Sequence, residues 1–198
     1  MSHLRAFIAV ELPLEIRQNV QRATSSLRRD TGPLIRWVAL ENMHLTLKFL
    51  GDIPSENVEV LTQLTDAQAD SFNSFDIHLS GIGAFPGPKR PRVIYIGIQA
   101  PAELEEFQRQ VESATRRLGY KPEERVFAPH LTIGRVRQHV GGDDQQKIRR
   151  LLEASTIDSL GTARVNSVHL YKSDLKPNGP VYTKLFSAPL KSNNDFSR

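Results

Sequence analysis

The chain has 198 residues, 39% of them hydrophobic and 24% charged, with a formal charge of +4 and a pI near 9.5. That is long enough to bury a real core, as one large domain or two small lobes, and too ordinary in composition for extended disorder. The absence of cysteine excludes a disulfide framework, thiolate metal sites and a cysteine nucleophile, while the mild positive charge favours an anionic partner over a cationic one.

Arg5 to Leu12 (RAFIAVEL) is β-prone, and Pro13 is placed to open a helix on which Ile16, Val20, Ala23 and Leu27 recur at helical spacing until the Thr31-Gly32-Pro33 breaker. The apolar part of that first strand is interrupted by Glu11 and is too short for a signal sequence or a membrane span, so a cytoplasmic protein is expected. IRWV (35–38) and MHLTLKFLG (43–51) predict two strands, and Ser55 with Val58, Leu61 and Leu64 predicts a capped helix. FDIHLSGIGAF and RVIYIGI predict a strand pair joined by the basic turn PGPKRPR at 86–92. Leu104, Phe107, Val111, Ala114 and Leu118 form an amphipathic stripe closing near Gly119. HLTIGRV (130–136) then reads as a strand, followed by a helix carrying Ile148, Leu151 and Leu152 and by strands at ARVNSVHLYKS and PVYTKLF. The two halves repeat a similar order of elements, which predicts an α+β protein of two pseudo-symmetric lobes with no linker between them, residues 1–198 forming one bilobal catalytic domain.

The repeat is sharpest where His-Leu-Thr-aliphatic occurs twice, at 44–47 and 130–133. On an extended strand His44, Thr46 and Lys48 share one face and Leu45, Leu47 and Phe49 the other; His130 and Thr132 likewise oppose Leu131 and Ile133. Histidine exchanges protons near neutral pH, and two of them flanking one phosphorus could take a proton from a nucleophile and give one to a leaving oxygen, each contributing roughly 10²–10⁴-fold. A threonine hydroxyl two residues on could donate to a non-bridging phosphate oxygen. Activated water is favoured over a covalent intermediate, with a histidine nucleophile left open. A metal site fits poorly: there is no HExxH, no carboxylate on the histidine face of either strand, and no ligand spacing among His3, His78, His139 and His169. No P-loop is present, and Pro86 interrupts GIGAFPG as a dinucleotide fingerprint. Lys89, Arg90 and Arg92 could follow an RNA backbone, although an exposed basic hairpin is the plainer reading.

Taken in order, FIAVELP, RWVALENMHLTLKFLGD, GIGAFPGPKRPRVIYIGI, FAPHLTIGR and VHLYKSDLKPNGPVYTKL resemble the 2H phosphoesterase superfamily, and more narrowly the bacterial RNA 2′,3′-cyclic phosphodiesterases, also called 2′-5′ RNA ligases. The resemblance implies two antiparallel sheets with flanking helices around a central cleft, one HxTx strand per lobe. It also implies a reaction without metal or cofactor on RNA bearing a 2′,3′-cyclic phosphate end, or on a small cyclic nucleotide, giving a 2′-phosphomonoester. Carried onto these positions, His44 is the proton donor to the departing 3′ oxygen, His130 the proton acceptor from water, and Thr46 and Thr132 hold phosphate oxygens. Reversible RNA ligation through a 2′-5′ linkage is a further activity that the resemblance implies. Arg135 joins the site only if the strand bulges or ends at Gly134, because strict alternation turns it toward the core. Phe49 could stack a base if the strand twists, although filling the core is the plainer reading. The protein is expected to be monomeric; the alternative is a non-catalytic module that binds RNA ends.

Overall fold

The structure is a computed structural model describing residues 2–177 and 179–192. Among the described residues nine strands form one antiparallel sheet. They are β1 (His3–Glu11), β2 (Ile35–Trp37), β3 (His44–Pro54), β4 (Phe75–Phe85), β5 (Val93–Gln99), β6 (His130–Val136), β7 (Ser159–Val165), β8 (Ser167–Lys176) and β9 (Gly179–Pro189). The path runs β7-β4-β5-β6-β3-β1-β8-β9, and β2 pairs with β6 off that path. β1 is covered on both faces, so its run Ala6 to Val10 is buried without alternation, as the unbroken apolar stretch in the sequence requires.

The seam lies between β3 and β6, which meet at one residue pair, Leu45 opposite Leu131. The two sheets expected from the sequence are therefore two curled halves of one sheet, splayed at this seam into a cleft. Among the described residues five α-helices flank them: α1 (Leu14–Ala23), α2 (Ser25–Thr31), α3 (Asn57–Ala69), α4 (Ala102–Arg117) and α5 (Gly142–Glu153). The first predicted helix is thus two. Thr24 stands at the break, where its buried Oγ1 donates to the Val20 carbonyl at 2.8 Å, a back-bond of the kind that bends helices. Ser55 does not cap α3; its hydroxyl donates to Ser2 O at 3.0 Å.

The lobes do not coincide with the sequence halves. α1 packs on β7 and α2 on α5, whereas α3 packs on β8 and β9 and α4 on β3. The segment ARVNSVHLYKS is split at Asn166: Val165 ends β7 at one edge of the sheet, and Ser167 begins β8 beside β1 in the other lobe. Each lobe is built from both halves, and the chain crosses the seam repeatedly. Among the described residues no helix is long and apolar enough to cross a membrane.

Candidate active site

In both HLT strands the side chains depart from strict alternation at the same step. Against β1, Ala9 faces Thr46 and Ile8 faces Lys48, which leaves Leu47 as an extra residue; against β5, Tyr95 faces Thr132 and Ile94 faces Gly134, which leaves Ile133 extra. An inserted residue restarts the alternation out of phase. Lys48 and Gly134 are consequently turned inward, and Phe49 and Arg135 outward. The structure meets the condition set for Arg135 and corrects two other expectations: Lys48 does not share the histidine face, and Phe49 is not core filler, since it is 62% exposed.

His44, Thr46, His130, Thr132 and Arg135 all line one cleft of about 1100 Å³. The single antiparallel pair Leu45–Leu131 stands between the histidine and the threonine of each strand, and all four side chains line the cleft that opens there.

Both imidazoles are oriented in the same way. His44 Nδ1 lies 2.8 Å from the Asn42 carbonyl oxygen and His130 Nδ1 lies 2.7 Å from that of Ala128. A carbonyl can only accept, so Nδ1 carries the proton in each ring and the Nε2 lone pair is left for the cleft. Aromatic neighbours hold the rings in place. His44 stacks on Phe7 at 4.8 Å and meets the edge of Tyr182 at 5.1 Å, while His130 lies edge-on to Phe85 at 4.9 Å and Tyr95 at 5.4 Å. Gly83 makes this second arrangement possible, because a Cβ there would overlap the Tyr95 ring.

Burial pushes the His44 pKa down to about 4; the Asn42 carbonyl opposes this, and the charges of Arg135 and His130 add to it. The unliganded ring is therefore neutral at pH 7. Burial also raises the Tyr182 hydroxyl above its ordinary value. Around the cleft stand Arg5, Arg36, Arg125 and Lys176, against the carboxylates of Glu41 and Glu123, an excess of positive charge suited to a polyanion.

Sequence reasoning missed Tyr182, Phe7, Arg36 and Arg125. Asn42 and Ala128 act through backbone carbonyls and leave no signal in residue type; the only clue is their shared position two residues before each histidine. His169 is buried away from the cleft, bonded through Nε2 to Ser167 Oγ at 3.2 Å, with its pKa pushed down to about 4 by burial and by Lys184. His78 lies within 3.4 Å of Thr162 Oγ1 on the far edge. Among the described residues no group of three or more His, Asp or Glu side chains is gathered closely enough to hold a metal ion.

A cleft between two lobes, with a matched histidine and threonine on each wall, defines a two-histidine phosphoesterase. The comparisons agree: the profile of LigT-like phosphoesterases matches twice in tandem, over residues 10–95 and 96–182. The chain is 32% identical over 182 residues to an RNA 2′,3′-cyclic phosphodiesterase of Methanothermobacter thermautotrophicus, covering 92% of this chain and 96% of the relative. It is also 32% identical over 186 residues to one of Archaeoglobus fulgidus, covering 92% and 98%. In three dimensions it resembles a Thermus thermophilus protein (TM-score 0.81, 26% identity, 96% of this chain and all of that one) and Escherichia coli LigT complexed with 3′-AMP (TM-score 0.73, 28% identity, 96% and 99%). This chain belongs to the LigT-like phosphoesterases, within the 2H superfamily, and is an enzyme of the cyclic phosphodiesterase class.

Proposed function

We propose that the enzyme hydrolyses the terminal 2′,3′-cyclic phosphate of RNA to a 2′-phosphomonoester by acid–base catalysis from His44 and His130, without a metal. Water attacks phosphorus as His130 Nε2 takes its proton; the P–O3′ bond breaks and the 3′ oxygen takes a proton from His44 Nε2. Thr46 and Thr132 donate to the non-bridging oxygens, and Arg135 offsets the charge that builds on them. The ring strain of the cyclic ester lowers what the protein must supply. With a 5′-hydroxyl in place of water and the histidine roles unchanged, the same steps join RNA through a 2′-5′ linkage; run backwards, with the roles exchanged, they cleave that linkage and restore the cyclic phosphate.

The observation that carries this reading is the matched pair of Nδ1–H···O=C bonds, which leaves both Nε2 atoms free of the backbone on rings that line one cleft. The depressed pKa of His44 fits a donor that is loaded by its substrate: an anionic phosphate raises the pKa of the ring beside it, so the proton arrives with the substrate. A proton held against burial is also readily given up as the 3′ oxygen departs. The curated relatives named above carry the RNA 2′,3′-cyclic phosphodiesterase activity in their names, and their similarity extends over almost the whole chain.

The test is hydrolysis of an oligoribonucleotide ending in a 2′,3′-cyclic phosphate, in EDTA, with the product's phosphate position read by ³¹P NMR. A 2′-phosphate is expected, with wild-type turnover unchanged by chelation, and kcat lowered roughly 10²–10⁴-fold in each of His44→Ala and His130→Ala. Full activity in either variant, or its loss in EDTA, refutes the mechanism.

A further inference from the structure

One buried ion pair is outside the chemistry just described. Lys48, turned inward by the bulge at Leu47, is only 4% exposed, yet its ammonium is held at two points: Nζ donates to Glu112 Oε1 on α4 at 2.9 Å and to the backbone carbonyl of Lys121 at 2.7 Å. The same Glu112 oxygen accepts the backbone N–H of Glu123 at 3.1 Å, while its other oxygen is buried with no partner. A carboxylate that leaves one oxygen unsatisfied in the interior is kept for what its other oxygen holds.

What it holds is the segment 120–129, ten residues that belong to no helix or strand. Connections of that length are uncommon in compact domains unless they serve a function. Its middle forms one wall of the cleft through Glu123, Arg125, Val126, Phe127 and Ala128, and Val126 is 93% exposed there. Its last residues lead directly into His130, and the Ala128 carbonyl fixes that ring. Tyr120 anchors the start, its hydroxyl accepting from Asn57 Nδ2 at 3.0 Å.

We infer that Lys48 and Glu112 are positioning residues that fasten the 120–129 wall to the strand carrying His44, so that the wall stands ready to receive the nucleotide attached to the cyclic phosphate. Lys48 lies two residues beyond Thr46 on that strand. The wall is the approach to His130. The ion pair therefore sets the distance between one side of the cleft and the other without touching substrate. The corresponding position in β6 is Gly134, where a Cβ would fall 2.8 Å from Ile35 Cγ2 and 3.2 Å from the Trp37 ring, so the second strand has no equivalent fastening.

The binding part of this inference rests on the cyclic phosphodiesterase reading; the mechanical part does not. Removing only Lys48 would strand a buried carboxylate and risk unfolding, so the informative protein is the double variant Lys48→Met, Glu112→Met, because apolar residues of similar volume often replace a buried pair at little cost. Two measurements are made on full-length protein. Trypsin cleavage after Arg125, followed by mass spectrometry under native conditions, reads how often the wall opens. It should accelerate about tenfold or more relative to wild type, with a thermal midpoint close to wild type. A core-truncated control, Leu61→Ala, should lose thermal stability without that site-selective increase. KM for the cyclic oligonucleotide should rise on the order of tenfold while kcat changes far less. Unaltered cleavage at Arg125 overturns the fastening role. Faster cleavage with unaltered KM overturns the substrate-wall role, as does a fall in kcat alone. If wild-type protein has no phosphodiesterase activity, the failure lies with the proposed function, and the cleavage comparison still decides the fastening.

Discussion

β3 and β6 carry the same tetrapeptide pattern, the same bulge after the threonine and the same carbonyl bond to Nδ1, yet they end differently. Beyond the bulge, β3 places a lysine inward and a phenylalanine outward; β6 places a glycine inward and an arginine outward. His44 is packed flat against Phe7, with Tyr171 stacked at 5.2 Å behind that ring, whereas His130 meets its aromatic neighbours edge-on. The backbone is nearly two-fold, and the side chains two or three positions past the motif remove the symmetry. A symmetric pair of imidazoles would bind a cyclic phosphate in either orientation. With Arg135 on one wall and the exposed Phe49 on the other, charge and an aromatic face are offered on opposite sides, and a nucleotide has one preferred way in.

Given that contrast, the two outward residues are not interchangeable. Arg135→Met should have the largest effect, reducing kcat/KM by about 10²–10³-fold, the usual cost of losing one donor to a developing oxyanion. A loss below tenfold in steady-state kinetics would mean the guanidinium merely lines the cleft. Gly134→Ala tests the inward side of β6: overpacking against Ile35 and Trp37 should cost about 1–3 kcal/mol of stability, measured by urea denaturation. Phe49→Ala should act on binding, raising KM for an oligonucleotide about fivefold or more, as expected for one base–aromatic contact, with kcat nearly constant. Equal effects of the arginine and phenylalanine substitutions on kcat would erase the proposed asymmetry.

The last expected effect is on stability rather than on turnover. His44 and His169 both have folded pKa values near 4 against an ordinary value of 6.5, so their neutral forms favour the fold. Their contribution is complete above pH 6.5 and is lost as pH falls from 6.5 toward 4, with protons taken up on unfolding. The urea midpoint should therefore be lower at pH 5 than at pH 7.5, and His169→Phe should flatten that dependence. A midpoint independent of pH in this window would contradict the burial assigned to these rings.

The motif and most of the strand and helix order were legible in the sequence because each depends on a local period and on a repeat. What was not legible depends on single insertions and on partners remote in the chain. A period of two placed Lys48 with His44 and Phe49 in the core, and one extra residue at Leu47 exchanged them. Arg135 was named by the family resemblance against strict alternation, and the glycine in HLTIGR only permitted the bulge it needs; KF after HLTL gives no such sign. The division of ARVNSVHLYKS at Asn166 follows from β7 and β8 finding partners in opposite lobes, which no window of sequence contains. Tyr182 and Phe7 reach the site on strands whose pattern reads as ordinary core and surface.

One anion engaging both rings is the central requirement of this chemistry. ¹⁵N NMR of histidine-labelled wild-type protein, titrated with inorganic phosphate at fixed pH and then over pH at saturation, measures it. Both His44 and His130 Nε2 resonances should move with the same phosphate dependence, and the His44 pKa should climb from about 4 by at least one pH unit. A response confined to one ring, or a His44 titration unmoved by saturating phosphate, would contradict it.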